Sequence, residues 1–265
     1  MTSSRNAHVF LWAVPRSLST AFTRSMESID NVAIYYEPYG CADHYGPEGR
    51  LFSMDNSPAE LEYTYDKVKA SLEDKSLENK CVFVKDMGYA VHKRYDKIAK
   101  GYKHSFLIRH PIKSFLSYYN VMVSTGADDV DGDLSRWLPE GLGYQELWEL
   151  YCYLENKNGK KPFVVNADDL LKNPKQVLQK YCEAVGFEYN DGLLSWDRKP
   201  SVEWNVAQSI WDIEPFYNWL SNSLTAGGFK KELSKPIPSI EELPKIVQEY
   251  VQISMPYYEK LNSCC

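Results

Sequence analysis

A short apolar run near the N-terminus ends in a polar loop, and this junction restricts what the chain can fold into. Residues 9–14 (VFLWAV) are followed by Pro15, Arg16 and the stretch 17–20 (SLST). We predict a buried strand, a sharp turn and a helix start, so that open N–H groups and the positive end of the helix dipole face one point. The arginine and the three hydroxyls around that point favour a bound phosphate or sulfate.

This loop differs from the common nucleotide-binding loop GxxxxGK[ST]. It has neither glycine of that motif, and it carries Arg16 in place of the lysine. ATP or GTP hydrolysis is therefore disfavoured. From this segment alone a structural interpretation stays open, in which Pro15 turns the chain and Ser17 or Ser19 caps the helix.

A second strand-to-helix junction occurs in the segment HSFLIRHPIKSFLSYYN. Apolar residues 106–108 predict a buried strand, Arg109 follows it, and Pro111 suits the first turn of a helix that carries Ser114 and Ser117. The carboxyl ends of parallel strands are where open sheets bind ligands. Two such junctions in one sheet predict a two-part anion site.

Together these motifs resemble the sulfotransferase family, which uses 3'-phosphoadenosine 5'-phosphosulfate (PAPS). In that family the first loop holds the 5'-phosphosulfate, which implies donor contacts from Arg16, Ser17, Leu18, Ser19 and Thr20. The family's Arg-x-Pro motif, with a serine eight residues after the arginine, holds the 3'-phosphate and matches Arg109 and Ser117. The segment 225–233 (TAGGFKKEL) resembles a late loop that closes over the donor, which implies Gly228 and Lys230.

Alternating elements predict an α/β fold, a three-layer parallel sheet covered by helices on both faces. The resemblance implies the P-loop-like sulfotransferase fold, in a single domain over residues 1–265. We predict strands near 8–14, 32–36, 80–85, 104–108 and 162–166, and helices near 20–29, 59–73, 111–122, 143–156, 174–185 and 240–260. The Gly- and Pro-rich stretches 38–58 and 123–141 are predicted to be irregular loops that line an acceptor pocket.

Sulfuryl transfer requires a proton acceptor and a cation near the leaving oxygen. Glu37 follows a predicted strand at the carboxyl edge and is the first candidate base; alternatively it pairs with Arg16 or Lys85 and organises the site. Lys85 can stabilise the leaving phosphate. Met87 stands where the small-molecule members of the family carry a catalytic histidine, so Asp86 or a histidine such as His44 is an alternative base.

Composition restricts the partners and the compartment. Lys and Arg number 30 and Asp and Glu 36, a net charge of −6, which argues against a broad nucleic-acid footprint. The absence of a long apolar run predicts no membrane span. Six cysteines without CxxC spacing or a metal-ligand cluster predict reduced thiols, a cytoplasmic protein and no metal. A homo-oligomer is possible.

These observations predict a sulfotransferase that moves a sulfuryl group from PAPS, as co-substrate, to a small soluble acceptor. The resemblance extends to small proteins for which 2-aminoacrylate, derived from an amino acid, is one possible acceptor, and a steroid, phenol or sugar stays open. The alternatives are a P-loop nucleotide kinase or hydrolase and a catalytically inactive nucleotide-binding relative.

Overall fold

The computed structural model describes residues 6–49, 60–125, 138–197, 202–212, 227–229 and 237–265. The strands are β1 (His8–Ala13), β2 (Val32–Tyr36), β3 (Cys81–Met87), β4 (Lys103–Ile108), β5 (Phe163–Asn166) and β6 (Trp204–Asn205). The helices are α1 (Ser19–Met26), α2 (Pro38–His44), α3 (Tyr65–Leu72), α4 (Pro111–Thr125), α5 (Tyr144–Asn158), α6 (Ala167–Lys172), α7 (Pro174–Val185), α8 (Gln208–Asp212) and α9 (Lys245–Asn262). Short 3₁₀ turns occupy Lys75–Leu77, Gly88–Val91, Tyr95–Lys97, Asp191–Leu194 and Ile240–Glu242.

The described strands form one parallel sheet in the order β5-β4-β1-β3-β2-β6. β1, one of the two central strands, lies between β4 and β3, and Ala13 at its end pairs with Leu107 on one side and Met87 on the other. A ligand crevice opens where neighbouring strands of such a sheet send their connections to opposite faces. The carboxyl ends of β1, β3 and β4 meet at this crevice.

Helices cover both faces of the sheet. Successive side chains of a strand point to opposite faces, and those of β1 belong alternately to two buried clusters. Phe10 and Trp12 join the cluster built with α3, α4, α5 and α9, whereas Val9 and Leu11 join the one built with α1, α6 and α7. The predicted three-layer α/β fold is confirmed.

The predicted strands are all present, with shifts of one or two residues at their ends. The largest change is in β3, which was predicted to end at residue 85 but continues to Met87, so Lys85 and Asp86 lie inside the strand. The prediction that 38–58 is irregular is wrong where α2 forms. This helix has Pro38 at its first position, and backbone N–H groups of its first turn donate hydrogen bonds to the Asp86 carboxylate. Residues 50–59 of that stretch and 126–137 of the other predicted loop lie outside the described residues.

Other helices differ from their predicted bounds, and short elements were missed. The predicted helices at 20–29 and 59–73 are shorter, as α1 and α3, and the one at 240–260 is a 3₁₀ turn followed by α9. Strand β6 has two residues, too few for any periodic pattern. None of the described helices is long and apolar enough to cross a membrane.

A buried ion pair ties α1 to the edge strand β6. Arg24 Nη1 donates to both carboxylate oxygens of Glu27, at 2.6 and 2.7 Å, and Trp204 Nε1 donates to the same carboxylate at 2.7 Å. Arg24 is fully buried and Glu27 nearly so. Removing one partner of such a pair leaves the other as an uncompensated charge in the interior.

We expect Arg24→Met to lower the free energy of unfolding by about 3–5 kcal/mol, because it leaves the Glu27 carboxylate buried without its cation. Urea denaturation measures the loss. The matched control is the double variant Arg24→Met with Glu27→Gln, which removes both charges and keeps an acceptor for Trp204. It should lose less stability than the single variant; an equal or larger loss would contradict the ion-pair explanation.

Candidate functional site

The loop after β1 adopts a strained conformation without glycine. Arg16 and Leu18 have φ angles of 60° and 70°, in the left-handed region, which costs a non-glycine residue about 1–2 kcal/mol. Leu18 is the N-cap residue of α1 and has no polar side chain. The Ser17 hydroxyl donates to the Val14 carbonyl at 2.7 Å, so it turns back into the fold and does not cap the helix. Alternating left-handed residues before a helix form a concavity of N–H groups suited to an anion.

The structure brings the two predicted anion-binding segments into direct contact. Arg16 Nε donates to the Ser117 hydroxyl at 3.2 Å. Arg109 Nη1 donates to the Arg16 carbonyl at 3.0 Å. These contacts follow from the sheet order, because β1 and β4 are neighbours and both segments leave the same edge. Arg16, Arg109 and Ser117 therefore line one site.

The residues at the start of α5 pack against both anion-binding segments. Tyr144 Oη donates to the Arg109 carbonyl at 2.7 Å and lies 3.1 Å from the buried Ser114 hydroxyl. Gly143 has a φ of 88°, and a Cβ built on it would lie 3.3 Å from Pro15 Cδ. Sequence reasoning missed both residues, since no local motif marks a helix start that packs beneath a distant loop.

The site is electropositive and partly removed from water. Burial lowers the pKa of Arg16; the nearby Tyr36 hydroxyl opposes this shift, and the positive charge of Arg109 adds to it. Two guanidinium groups so close together repel each other in a medium of low dielectric. A bound anion would offset this repulsion.

A second charged pair lies at the carboxyl ends of β2 and β3. Lys85 Nζ forms a short ion pair with Glu37 Oε1 and lies 4.6 Å from the centroid of the Tyr36 ring. Lys85 is fully buried, whereas the Glu37 side chain keeps 16% of its surface exposed. Glu37 therefore pairs with Lys85, as its alternative interpretation predicted, and its side chain is still partly exposed to solvent.

Comparison with known proteins places this geometry in a known fold. No family model matches the chain. The sulfotransferase domain from the curacin biosynthetic pathway superposes with a TM-score of 0.58 at 17% identity, over 94% of this chain and 97% of that one. Mouse sulfotransferase SULT7A1 complexed with PAP superposes with a TM-score of 0.54 at 11% identity, over 99% and 90%. The protein has a sulfotransferase fold. The fold that the loop motifs implied is confirmed.

One curated protein is similar to this chain in amino-acid sequence. The branched-chain-amino-acid aminotransferase-like protein 2 of Arabidopsis thaliana is 23% identical over 197 residues, which cover 74% of this chain. The chain spans 33% of that protein's length. The shared region is therefore one part of a larger relative.

Within this sulfotransferase fold, Asp86 has a structural role. Its carboxylate accepts backbone N–H groups from Tyr39 at 2.7 Å, Gly40 at 2.9 Å and Met87 at 2.8 Å, so it anchors the first turn of α2. Burial, and then the charge of Glu37, raise the pKa of Asp86 to about 8. Its side chain is fully buried and its oxygens accept backbone hydrogen bonds, so Glu37 is the better candidate base of the two carboxylates.

The remaining predicted residues of the sulfotransferase fold lie in different surroundings. Gly228 has a φ of 143°, and its Cβ position is only 2.7 Å from the Leu194 carbonyl, so a glycine is required there. Lys230 lies outside the described residues. His44 stacks on Tyr89, with ring centroids 5.8 Å apart. In the described ranges no group of three His, Cys, Asp or Glu side chains surrounds a possible metal position.

Thr20, a predicted donor-binding residue, contacts the last residue of β2. Its Oγ1 lies 2.7 Å from Tyr36 Oη, at the end of β2. Ser19 is also buried in the first turn of α1, where its carbonyl accepts a hydrogen bond from Thr23 at 2.9 Å. Sequence reasoning did not identify Tyr36, because a tyrosine at the end of an apolar strand resembles an ordinary core residue.

At about pH 5 we expect Asp86→Asn to destabilise the protein by about 1–3 kcal/mol. Both oxygens of Asp86 can accept backbone N–H groups, whether or not the carboxyl group is protonated, whereas the amide NH₂ of asparagine cannot accept one. Chemical denaturation measures the loss, and PAP affinity should change little. A variant of wild-type stability would show that the three hydrogen bonds contribute nothing to α2.

We also predict how pH changes the difference in stability between the wild type and Asp86→Asn. Because the pKa of Asp86 is raised to about 8 in the fold, the native state holds a proton that the unfolded chain has released above about pH 4. Stability falls with pH wherever the native state binds more protons. The stability of wild type should therefore fall relative to Asp86→Asn between about pH 5 and 8, and a constant difference would contradict this assignment.

Proposed function

We propose that this protein is a PAPS-dependent sulfotransferase that acts on a small soluble acceptor. The observation that carries the proposal is the hydrogen bond from Arg16 to Ser117, at 3.2 Å. It joins a segment suited to a phosphosulfate and a segment suited to a second phosphate into one site, as a donor with phosphates on both its 5' and 3' positions requires. The fold shared with a sulfotransferase complexed with PAP supports the same donor.

The donor would lie across the carboxyl edge of the sheet. Its 5'-phosphosulfate would occupy the concavity at residues 15–20, and its 3'-phosphate would contact Arg109 and Ser117. Charge-assisted hydrogen bonds from the two guanidinium groups fit these anions. The 3'-phosphate distinguishes this donor from ATP, so the second segment favours a sulfotransferase over a P-loop kinase or hydrolase.

The proposed reaction is a direct transfer at sulfur. The acceptor atom forms a bond to sulfur, the bond from sulfur to the bridging phosphate oxygen breaks, and the electron pair stays on that oxygen. The acceptor proton goes to the Glu37 carboxylate. Once protonated, Glu37 no longer neutralises Lys85, whose charge can then stabilise the leaving oxygen together with Arg16.

The acceptor would enter beside Glu37, where the site is open to solvent. A panel of candidate acceptors with labelled donor, beginning with 2-aminoacrylate and extending to phenols, steroids and sugars, tests the acceptor class. Transfer to any of these compounds separates the enzyme from a catalytically inactive relative that only binds the nucleotide.

Arg109→Ala tests the second anion position. Losing a charge-assisted contact costs about 1.5–3 kcal/mol, so PAP affinity should fall about tenfold to a hundredfold. The affinity for adenosine 5'-phosphate, which has no 3'-phosphate, should fall much less. Isothermal titration calorimetry with both nucleotides gives the ratio.

A cation in α4, the helix that follows Arg109, provides the matched control. Lys113 is held by Asp168 at 2.7 Å, and Lys113→Ala should leave the affinity ratio of the two nucleotides as in wild type. If Arg109→Ala weakened both nucleotides equally, Arg109 would act by holding the Arg16 carbonyl and not by contacting the 3'-phosphate.

Glu37→Gln tests the general base. The amide keeps the shape of the side chain and removes its basicity, so turnover should fall about 100- to 10,000-fold, the usual contribution of a general base. PAP affinity should stay close to wild type. Steady-state rates at saturating donor, together with PAP titrations, measure the two effects.

The control is Glu149→Gln, which changes a surface carboxylate paired with His92 at 2.7 Å. It should have wild-type turnover. Parallel losses of turnover, PAP affinity and thermal stability in Glu37→Gln would instead assign Glu37 the purely organising role that its pairing with Lys85 allows.

A further inference from the structure

A tyrosine at the start of α5 fixes the backbone of Arg109. Tyr144 is the first residue of this helix, and its Oη donates to the Arg109 carbonyl at 2.7 Å. The Arg109 side chain in turn donates from Nη1 to the Arg16 carbonyl at 3.0 Å. Two hydrogen bonds in series therefore lead from α5 to the loop after β1, and both involve Arg109.

The direction of the hydrogen bond between Tyr144 and Arg109 follows from the chemistry of the two groups. A phenol has one proton to donate, and a carbonyl oxygen can only accept. Burial raises the pKa of Tyr144, so its hydroxyl stays protonated at neutral pH. The proton therefore goes to the Arg109 carbonyl, and the Ser114 hydroxyl contacts the same phenol oxygen at the longer distance of 3.1 Å.

The Tyr144 side chain is held in place by its surroundings. It is fully buried, and the Phe115 ring packs against it with ring centroids 5.7 Å apart. The turn before it is fixed by the buried Glu146 carboxylate, which accepts the N–H groups of Gly141 at 2.8 Å and Gly143 at 2.9 Å. The Tyr144 hydroxyl therefore has a fixed position, and the Arg109 carbonyl is aligned on it.

The two serines of α4 have different surroundings, although they lie three residues apart. Ser117 is partly exposed and accepts a hydrogen bond from Arg16 Nε at 3.2 Å. Ser114 is buried and contacts Tyr144. Ser117 therefore lines the anion site, whereas Ser114 belongs to the buried layer that supports it.

We propose that Tyr144 is a positioning residue that sets the preference of this protein for nucleotides with a 3'-phosphate. It acts by holding the Arg109 backbone, and so the Arg109 side chain, at the edge of the sheet. Without the Tyr144 hydroxyl the Arg109 carbonyl loses its donor. A buried carbonyl without a donor is costly, so the backbone shifts towards another partner and the arginine side chain moves with it.

This inference rests on the proposed function, because it takes the anion at Arg109 to be the 3'-phosphate of the donor. The first test is Tyr144→Phe, which removes one hydroxyl and keeps the ring. The net value of a hydrogen bond corresponds to about threefold to tenfold in an equilibrium constant, so PAP affinity should fall by about that factor. The affinity for adenosine 5'-phosphate, which has no 3'-phosphate, should fall less. Isothermal titration calorimetry measures both affinities.

The Arg109→Ala background separates a positioning role from a general loosening of the fold. Substitutions that act through a shared partner are not additive. Tyr144→Phe should therefore change PAP affinity by less than about twofold in that background, because the side chain that it positions is gone. An equal fold-change in the wild-type and Arg109→Ala backgrounds would overturn the proposal, since Tyr144 would then act independently of Arg109.

Tyr181 of α7 provides the matched control. It is also fully buried, and its Oη lies 3.1 Å from Ser105 Oγ, which donates to the Phe10 carbonyl at 2.7 Å. Its ring belongs to the buried cluster on the other face of the sheet. Tyr181→Phe therefore removes a similar hydroxyl away from the site, and the affinity ratio of the two nucleotides should stay as in wild type. A fall as large as that of Tyr144→Phe would overturn the proposal.

A second variant tests which hydrogen bond of Tyr144 matters. Ser114→Ala keeps the hydrogen bond from Tyr144 to the Arg109 carbonyl, so it should lower PAP affinity less than Tyr144→Phe does. A larger loss in Ser114→Ala would overturn the assignment to Tyr144. Thermal unfolding of each variant establishes that it is folded.

The outcomes separate this inference from the proposed function. A wild type that binds PAP, with additive effects of Tyr144→Phe and Arg109→Ala, would overturn the positioning role and leave the sulfotransferase proposal standing. A wild type that binds PAP with the expected non-additive effects but transfers no sulfate would support the positioning role and overturn the activity. A wild type that does not bind PAP would overturn both.

Discussion

The hydrogen bond from the Arg109 side chain to the Arg16 carbonyl is the contact on which the site depends. It holds two cationic side chains at the ends of adjacent strands, and it works only because β1 and β4 are neighbours in the sheet. The Arg109 carbonyl is itself held by Tyr144. The backbone contacts therefore keep both cationic side chains at this edge of the sheet, where the proposed donor would bind.

The three layers of the fold and the positions of Arg16 and Arg109 at the sheet edge could be predicted from the sequence, because both depend on local patterns. Continuous apolar runs mark buried parallel strands, and the residue after each run lies at the carboxyl edge whatever the order of the strands. The single-domain prediction for 1–265 and the assigned roles of the site residues stay predictions.

The contacts that decide individual roles are long-range and could not be predicted. Asp86 looked like a free carboxylate beside a lysine, but it bonds N–H groups of α2, a helix that begins 48 residues earlier at Pro38 and that its own sequence does not favour. Tyr36 resembled an ordinary strand residue, and its contact with the Thr20 hydroxyl involves a different element, α1. In each case the ambiguity came from a hydrogen-bond partner that lies far away along the chain.

The left-handed residues of the loop have one further consequence. A glycine would adopt this left-handed conformation without strain, but the chain has Leu18 there, whose side chain packs against the same buried cluster as Leu194 and Phe229. A leucine has fewer conformations than a glycine in the unfolded chain, and its packing holds the strained backbone in place. The concavity is thus preorganised, and little conformational entropy remains to be lost when a ligand arrives.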